Sequence, residues 1–331
     1  MTHIEKKLSA QYMSTIKDTV TSVLIPKEVS ECSLVRDGSY RGTCLSDKAV
    51  DYLATKMGIT TKGMSDEETI SMIHKRYGTK DDKALIENLP ENMVSEEVLN
   101  LKIPGPKGTE LLSNNDIDGI LKQWEAAFDD FFAYNFNMLD YTSYSFKDGR
   151  VRNEPDTLAT IDPLVLFEKY KMSACIINSD KYHGGGKHWM ALFVDNRSRS
   201  PTAEFFNSSG RGPVPEWISY LQRVQQSLDR LNAADIAAGK KEPCKIINNH
   251  LVQQHSMTEC GVYSLFYVWA RLNNLSYGYF DTHQVYDTLM FEFRAHLYDG
   301  YDAGGKWSFD EFKKSAKVKW DHPDGHREGE V

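Results

Sequence analysis

Cys260 stands in the stretch Gln254-His255-Ser256-Met257-Thr258-Glu259-Cys260-Gly261, where a polar loop gives way to the almost wholly apolar run 262–270. Such a run reads as a buried helix, which puts the thiol in its first turn. Unpaired backbone N–H groups and the helix dipole there favour the thiolate, a common way to prepare a sulfur nucleophile. A lone cysteine at a helix end is otherwise a small buried structural residue, so the polar residues elsewhere decide between the two readings. His188 follows Gly184-Gly185-Gly186-Lys187 and enters an apolar strand, and Asn207 lies nineteen positions on, at the end of the next strand. If those strands are antiparallel neighbours joined by the turn around 195–200, His188 and Asn207 meet. His188 then takes the thiol proton and Asn207 holds the imidazole in the required tautomer. Singly, each has a plainer reading: His beside Trp189 as a structural residue, and Asn207-Ser208-Ser209-Gly210 as a turn.

The elements that must position these groups are legible in outline. Short β-rich runs cover 174–177, 189–194, 203–206 and 244–247. Trp217, Ile218, Leu221, Val224, Leu228 and Leu231 mark one face of a long helix over 215–232, and the apolar helix spans about 259–272. The order strand, strand, strand, helix, strand, helix indicates an α+β domain. Upstream, a helix with acidic residues in its first turn starts near Asn115-Asp116-Ile117-Asp118. Before about Leu101 the signals are helical. Val50, Leu53 and Met57 share a face after Ser46, and Ser65 with Glu68 forms a capping box ahead of Ile70, Ile73 and Tyr77, with Gly78 as the C-terminal cap. Pro104-Gly105-Pro106-Lys107-Gly108 breaks regular structure. The expected division is a helical N-terminal domain over 1–106, a catalytic domain over 107–298, and a C-terminal extension with a polar tail over 299–331.

Composition narrows the class. The 331 residues suffice for about two domains, and 40% hydrophobic with 26% charged residues fits a folded globular chain. Lys and Arg total 39 against 47 Asp and Glu, a net charge of -8, the wrong sign for gripping a phosphate backbone, so no nucleic-acid partner is expected. MTHIEKKLSA lacks a signal-peptide pattern and no apolar run reaches bilayer length, so a soluble intracellular protein without membrane insertion is expected. Five scattered cysteines (Cys32, Cys44, Cys175, Cys244, Cys260) suggest free thiols in a reducing compartment and no disulfide framework. Cys244, His250, His255 and Cys260, with five, four and four residues between them, match no usual zinc pattern, and a metal there would consume the nucleophile.

His-Trp, an Asn nineteen positions after the His, and a Gln six residues before Cys-Gly together resemble the cysteine proteases that cleave ubiquitin-like proteins. The segments GKHWMALFVDNRS, EFFNSSG, TECGVYSLFYVWARLNNLSY and FRAHL, with PGPKGTELLSNNDIDGILKQW upstream, narrow the resemblance to the polyprotein-processing cysteine proteases of the African swine fever virus type. The resemblance spans roughly 44–298. It implies a SUMO-protease-like core, a central mixed sheet flanked by helices, with an added N-terminal helical domain. It also implies a cysteine endopeptidase of a large DNA virus that needs no cofactor and cuts viral structural polyproteins after Gly-Gly during virion maturation, in the host cytoplasm at assembly sites and in the virion. Carried over residue by residue, Cys260 matches the nucleophile, His188 the general base, Asn207 the orienting group and Gln254 the oxyanion donor. Trp189 matches the aromatic roof of a narrow substrate channel. The viral relatives have a second glutamine three residues before the cysteine, where this chain has Met257, so Gln254 alone fits the donor role.

Two other readings use the same residues: a protease that removes ubiquitin-like modifiers, and a non-catalytic protein that grips Gly-Gly tails. Gly184-Gly185-Gly186 reads as the loop that lets His188 approach its partners. Gly304-Gly305-Lys306 reads as a glycine turn, against the alternative of a self-trimming site. The turn reading predicts an unchanged intact mass after prolonged incubation with active enzyme; loss of residues 306–331 would mark cleavage instead.

Overall fold

The structure, a computed structural model, describes residues 24–25, 29–37, 42–106, 110–142, 157–182 and 184–299. The expected glycine turn at Gly304-Gly305, the polar tail and the first residues of the chain lie outside the described residues. Near the N-terminus, helix α1 (Asp47–Lys56) starts at Ser46, whose side chain accepts the Ala49 N–H. Helix α2 (Asp66–Tyr77) opens with the reciprocal Ser65/Glu68 capping box and closes on left-handed Gly78, as the spacing predicts. With α3 (Asp82–Ile86) and α4 (Glu91–Glu97) these helices enclose a core of their own, including Leu53, Ile70, Ile73 and Leu85.

One detail departs from the sequence reading. Cys32 and Cys44 form a disulfide with their Cα atoms 5.2 Å apart, whereas free thiols were expected throughout; the helical core brings two residues 12 positions apart into disulfide range. Cys175, Cys244 and Cys260 are free and buried. The N-terminal part, with its own core, also contacts the rest of the chain. Leu24, Ile25 and Leu34 pack into the main core, and Gln123 and Lys102 bond across the junction to the Leu101 and Ala295 carbonyls.

Helix α5 (Asn114–Ala127) starts near Asn115 as expected, with Ser113 and Asp116 making the capping box. A mixed sheet follows, six-stranded among the described residues: β1 (Phe131–Ala133), β2 (Asn137–Met138), β3 (Met172–Asn178), β4 (Trp189–Asp195), β5 (Thr202–Phe206) and β6 (Lys245–Asn248). The order is β1-β3-β4-β5-β6, with β2 also parallel to β3. β3, β4 and β5 run antiparallel in sequence, and β5 and β6 are parallel. β3 is buried throughout, and alternate residues serve opposite faces. Ala174 and Ile176, with Ala191 and Phe193, face α5, α8 (Cys260–Leu272) and α9 (Asp287–Leu297). Cys175 and Ile177, with Leu192 and Phe205, face α7 (Pro215–Leu231) and its neighbour α6 (Pro163–Lys169). The sheet is therefore sandwiched between two helical layers. Among the described residues no helix is long and apolar enough to cross a membrane.

Every residue of α8 is buried, polar ones included. At its far end Arg271 donates to both carboxylate oxygens of Glu204 on β5, at 2.8 and 2.9 Å, and reaches Asp195 of β4 at 3.2 Å. Tyr267 adds a 2.6 Å bond to Glu204, whose side chain is fully buried. Removing one partner of such a pair strands the other charge in the core. Arg271→Leu is therefore expected to lower stability by about 3–5 kcal/mol, read from the midpoint shift in urea denaturation.

Candidate active site

The antiparallel pairing of β4 and β5 brings the start of one beside the end of the other, with Ala191 opposite Phe206. His188 stands one residue before β4 and Asn207 one residue after β5, and His188 Nε2 lies 2.8 Å from Asn207 Oδ1. The orientation of the Asn207 amide is fixed by its other partners. The Ser209 N–H, which can only donate, meets Oδ1 at 3.0 Å, and Nδ2 donates to the Arg211 carbonyl at 3.1 Å. The oxygen therefore faces His188, so Nε2 carries the proton and Nδ1 becomes the basic nitrogen of the ring.

Asn249 supports this pair. Fully buried, it accepts the Asn207 N–H and donates to the Asn207 carbonyl, both at 2.8 Å. Gly210 closes the turn with its N–H on the Asn207 carbonyl and has φ +72; a Cβ there would stand 2.7 Å from the His250 carbonyl oxygen, so glycine is required. Sequence reasoning missed Asn249. Its one signal is an asparagine directly after a strand, which resembles an ordinary turn residue.

Cys260 is the first residue of α8, as expected, and is 3% exposed. The backbone N–H groups of Trp189, the neighbour of His188, of Gly261 and of Cys260 itself pull the thiol's pKa down. The thiol departs from the expected lowered pKa. Burial pushes it above the ordinary thiol range, and the buried Glu259 charge adds to this, while the three N–H groups only partly offset them.

Gln254 is bound to the same loop pair. Its carbonyl oxygen accepts the Ser208 hydroxyl at 2.7 Å, its amide donates to the Ser256 carbonyl at 2.8 Å, and its backbone N–H meets the Ser208 carbonyl at 3.0 Å. Met257, by contrast, is 59% exposed. Trp189 is half-buried; its indole N–H donates to the Leu112 carbonyl at 3.0 Å and its ring meets Phe136 edge-on with centroids 6.2 Å apart. Phe136 is held by its N–H on Asp118, a carboxyl that burial pushes up to about 6. Hydrogen bonds thus link His188 to Asn207 and tie Gln254 to Ser208, the residue after Asn207, while Trp189 directly follows His188 and Cys260 opens α8. Among the described residues no group of three or more His, Cys, Asp or Glu side chains is arranged to hold a metal, Cys244, His250, His255 and Cys260 included.

Residues 164–290, which include Cys260, His188, Asn207 and Gln254, match the Ulp1 protease family, C-terminal catalytic domain. Over 279 residues the chain is 30% identical to a SUMO-1 cysteine protease of African swine fever virus, covering 83% of this chain and 97% of that protein. A crystal structure of the African swine fever virus protease superposes with a TM-score of 0.57 at 29% identity, over 81% of this chain and 95% of that one. Its selenomethionine form gives 0.56 at 27% identity.

The raised thiol makes a measurable prediction. Carboxamidomethylation of Cys260 in the resting protein is expected to accelerate with rising pH and to reach half its maximum above the ordinary thiol range. A half-maximum well below that range would show that a thiolate–imidazolium pair already exists at rest.

Proposed function

The chain belongs to the Ulp1 family of cysteine proteases, and on that premise we propose that it is a viral endopeptidase that processes structural polyproteins after Gly-Gly during virion maturation. That it is a cysteine-type peptidase follows from the family. The substrate, the setting in host cytoplasm and virion, and the residue roles are our reading. The observation that carries the roles is the 2.8 Å bond between His188 Nε2 and Asn207 Oδ1, with the buried Cys260 as the first residue of α8.

In this mechanism His188 Nδ1 takes the Cys260 proton as the sulfur attacks the scissile carbonyl. A resting thiol held neutral by burial is compatible with this step, because the proton moves only when substrate is present. The oxyanion forms against the Cys260 backbone N–H and the Gln254 amide, which has two N–H bonds and uses one on Ser256. His188 then protonates the leaving amine, the C–N bond breaks, and a thioester remains. Water, deprotonated by His188, attacks the thioester and releases the carboxylate and the free thiol. The half-buried Trp189, pinned by its indole N–H, serves as one wall of a channel narrow enough to favour residues without side chains. The chain's likeness to the virus protease spans 83% of its length and 97% of that protein, which supports reading its substrates with that viral group rather than with the host enzymes. A relative named as a SUMO-1 cysteine protease makes a ubiquitin-like precursor the second substrate to test.

Cleavage of fluorogenic peptides ending in Gly-Gly, compared with cleavage of a ubiquitin-like precursor, tests the reading. Peptide turnover is expected to vanish with Cys260→Ala and to fall by about 10²–10³ in kcat with Gln254→Ala. Strong preference for the precursor would move the function to deconjugation. Binding of Gly-Gly tails without turnover of either substrate would make the protein a non-catalytic binder.

A further inference from the structure

The junction that presents Cys260 is held by a buried ion pair that takes no part in the chemistry above. Glu259 precedes the nucleophile, and its Oε2 lies 3.3 Å from Arg294 Nη2, with neither side chain exposed at all. Glu259 occupies the N-cap position of α8 but makes no capping bond with its side chain. Its carboxylate instead meets Arg294 and accepts the Thr258 hydroxyl at 3.2 Å. Arg294, on α9, points both Nη1 and Nη2 at the Glu110 carbonyl oxygen, each at 2.9 Å. Two residues on, Leu112 touches the site twice. Its carbonyl receives the Trp189 indole N–H, and its side chain abuts Gly261, where a Cβ would stand 3.1 Å from Leu112 Cδ1.

One guanidinium therefore links the residue before the nucleophile to the segment that pins the Trp189 wall and backs the residue after the nucleophile. Stability alone is a weak reason to keep it, since buried ion pairs can often be replaced by apolar residues of similar volume at no loss. Burial pushes Glu259 up to about 7 even with Arg294 beside it, so the pair is held against a real desolvation cost.

We propose that Arg294 is a positioning residue of the peptidase: by holding Glu259 and the Glu110 carbonyl together, it keeps the Cys260 sulfur and the Trp189 wall in register. The inference rests on Cys260 being the nucleophile. Arg294 touches no reacting atom and acts only through Glu259 and the 110–112 segment.

The test uses the full chain carrying Arg294→Met or Arg294→Lys, with wild type and Cys260→Ala alongside. For each, kcat and KM on a Gly-Gly peptide, the carboxamidomethylation rate of Cys260 at a fixed alkaline pH, and the melting profile are measured. Arg294→Met is expected to lower kcat by about 10²-fold, the scale of an ångström-sized misplacement, and to change the alkylation rate of folded protein. Arg294→Lys keeps the charge but lacks the second arm, and its kcat is expected to fall between Arg294→Met and wild type. If Arg294→Met does not fold, Arg294→Lys decides alone. Folded variants with wild-type kcat and wild-type alkylation, differing only in melting temperature, would overturn the proposal and leave Arg294 a purely structural residue. Turnover surviving in Cys260→Ala would instead overturn the nucleophile assignment, whatever Arg294 does.

Discussion

The seating of α8 on the sheet is the constraint on which the rest of the molecule depends. A helix buried on every side has no solvent-facing stripe to set its rotation, so packing alone leaves its register weakly specified. The Arg271 fork on Glu204, extended to Asp195 and flanked by Tyr267, supplies the missing directionality, because a bidentate pair tolerates little rotation or sliding. With the far end of the helix anchored to β4 and β5, its first residue is delivered to the edge where those strands begin and end. The placement of Cys260 is thus a consequence of how one helix is tied to two strands.

Around that point the loops are bolted to each other more than to their own strands. Asn249 grips both backbone groups of Asn207, Gln254 grips Ser208, and the N–H groups of Gln253 and Gln254 both meet the Ser208 carbonyl. The effect is to hold the His188–Asn207 pair and the loop leading to Cys260 as one unit. Preorganisation of this kind matters because proton transfer and attack need the reacting groups in place before substrate arrives. Electrostatics acts in the opposite sense at rest: burial keeps the Cys260 thiol protonated, and the neighbouring carboxyls Glu259 and Asp287 are both raised by desolvation. Around the buried Cys260 thiol the surroundings screen charge less than water does, so nearby N–H groups carry more weight there.

Much of this was readable from local signals. The Ser65/Glu68 box, the antiparallel β4–β5 pair and the start of α8 each follow from short-range rules, and those rules place His188, Asn207 and Cys260 correctly at element ends. The errors share one cause, long-range contact. The pairing of Cys32 with Cys44 depends on the helical core that brings them together, and the thiol departs from expectation because a helix dipole can be inferred from sequence whereas desolvation cannot. Asn249, Glu259 and Arg294 escaped for a related reason, since a polar residue gives no local sign of whether its partner lies across a loop or in solvent.

The sequence by itself determined which residue types were available for chemistry, their order along the chain, and the strand and helix ends on which they sit, because periodicity, capping and turn chemistry are local. Only the tertiary structure decided that Nε2 of His188 meets Asn207, that burial raises the Cys260 thiol, and that Arg294 joins Glu259 to the Glu110 carbonyl. Those relations set tautomer, thiol protonation and register, and each depends on distances and burial created when residues far apart in the chain are packed together.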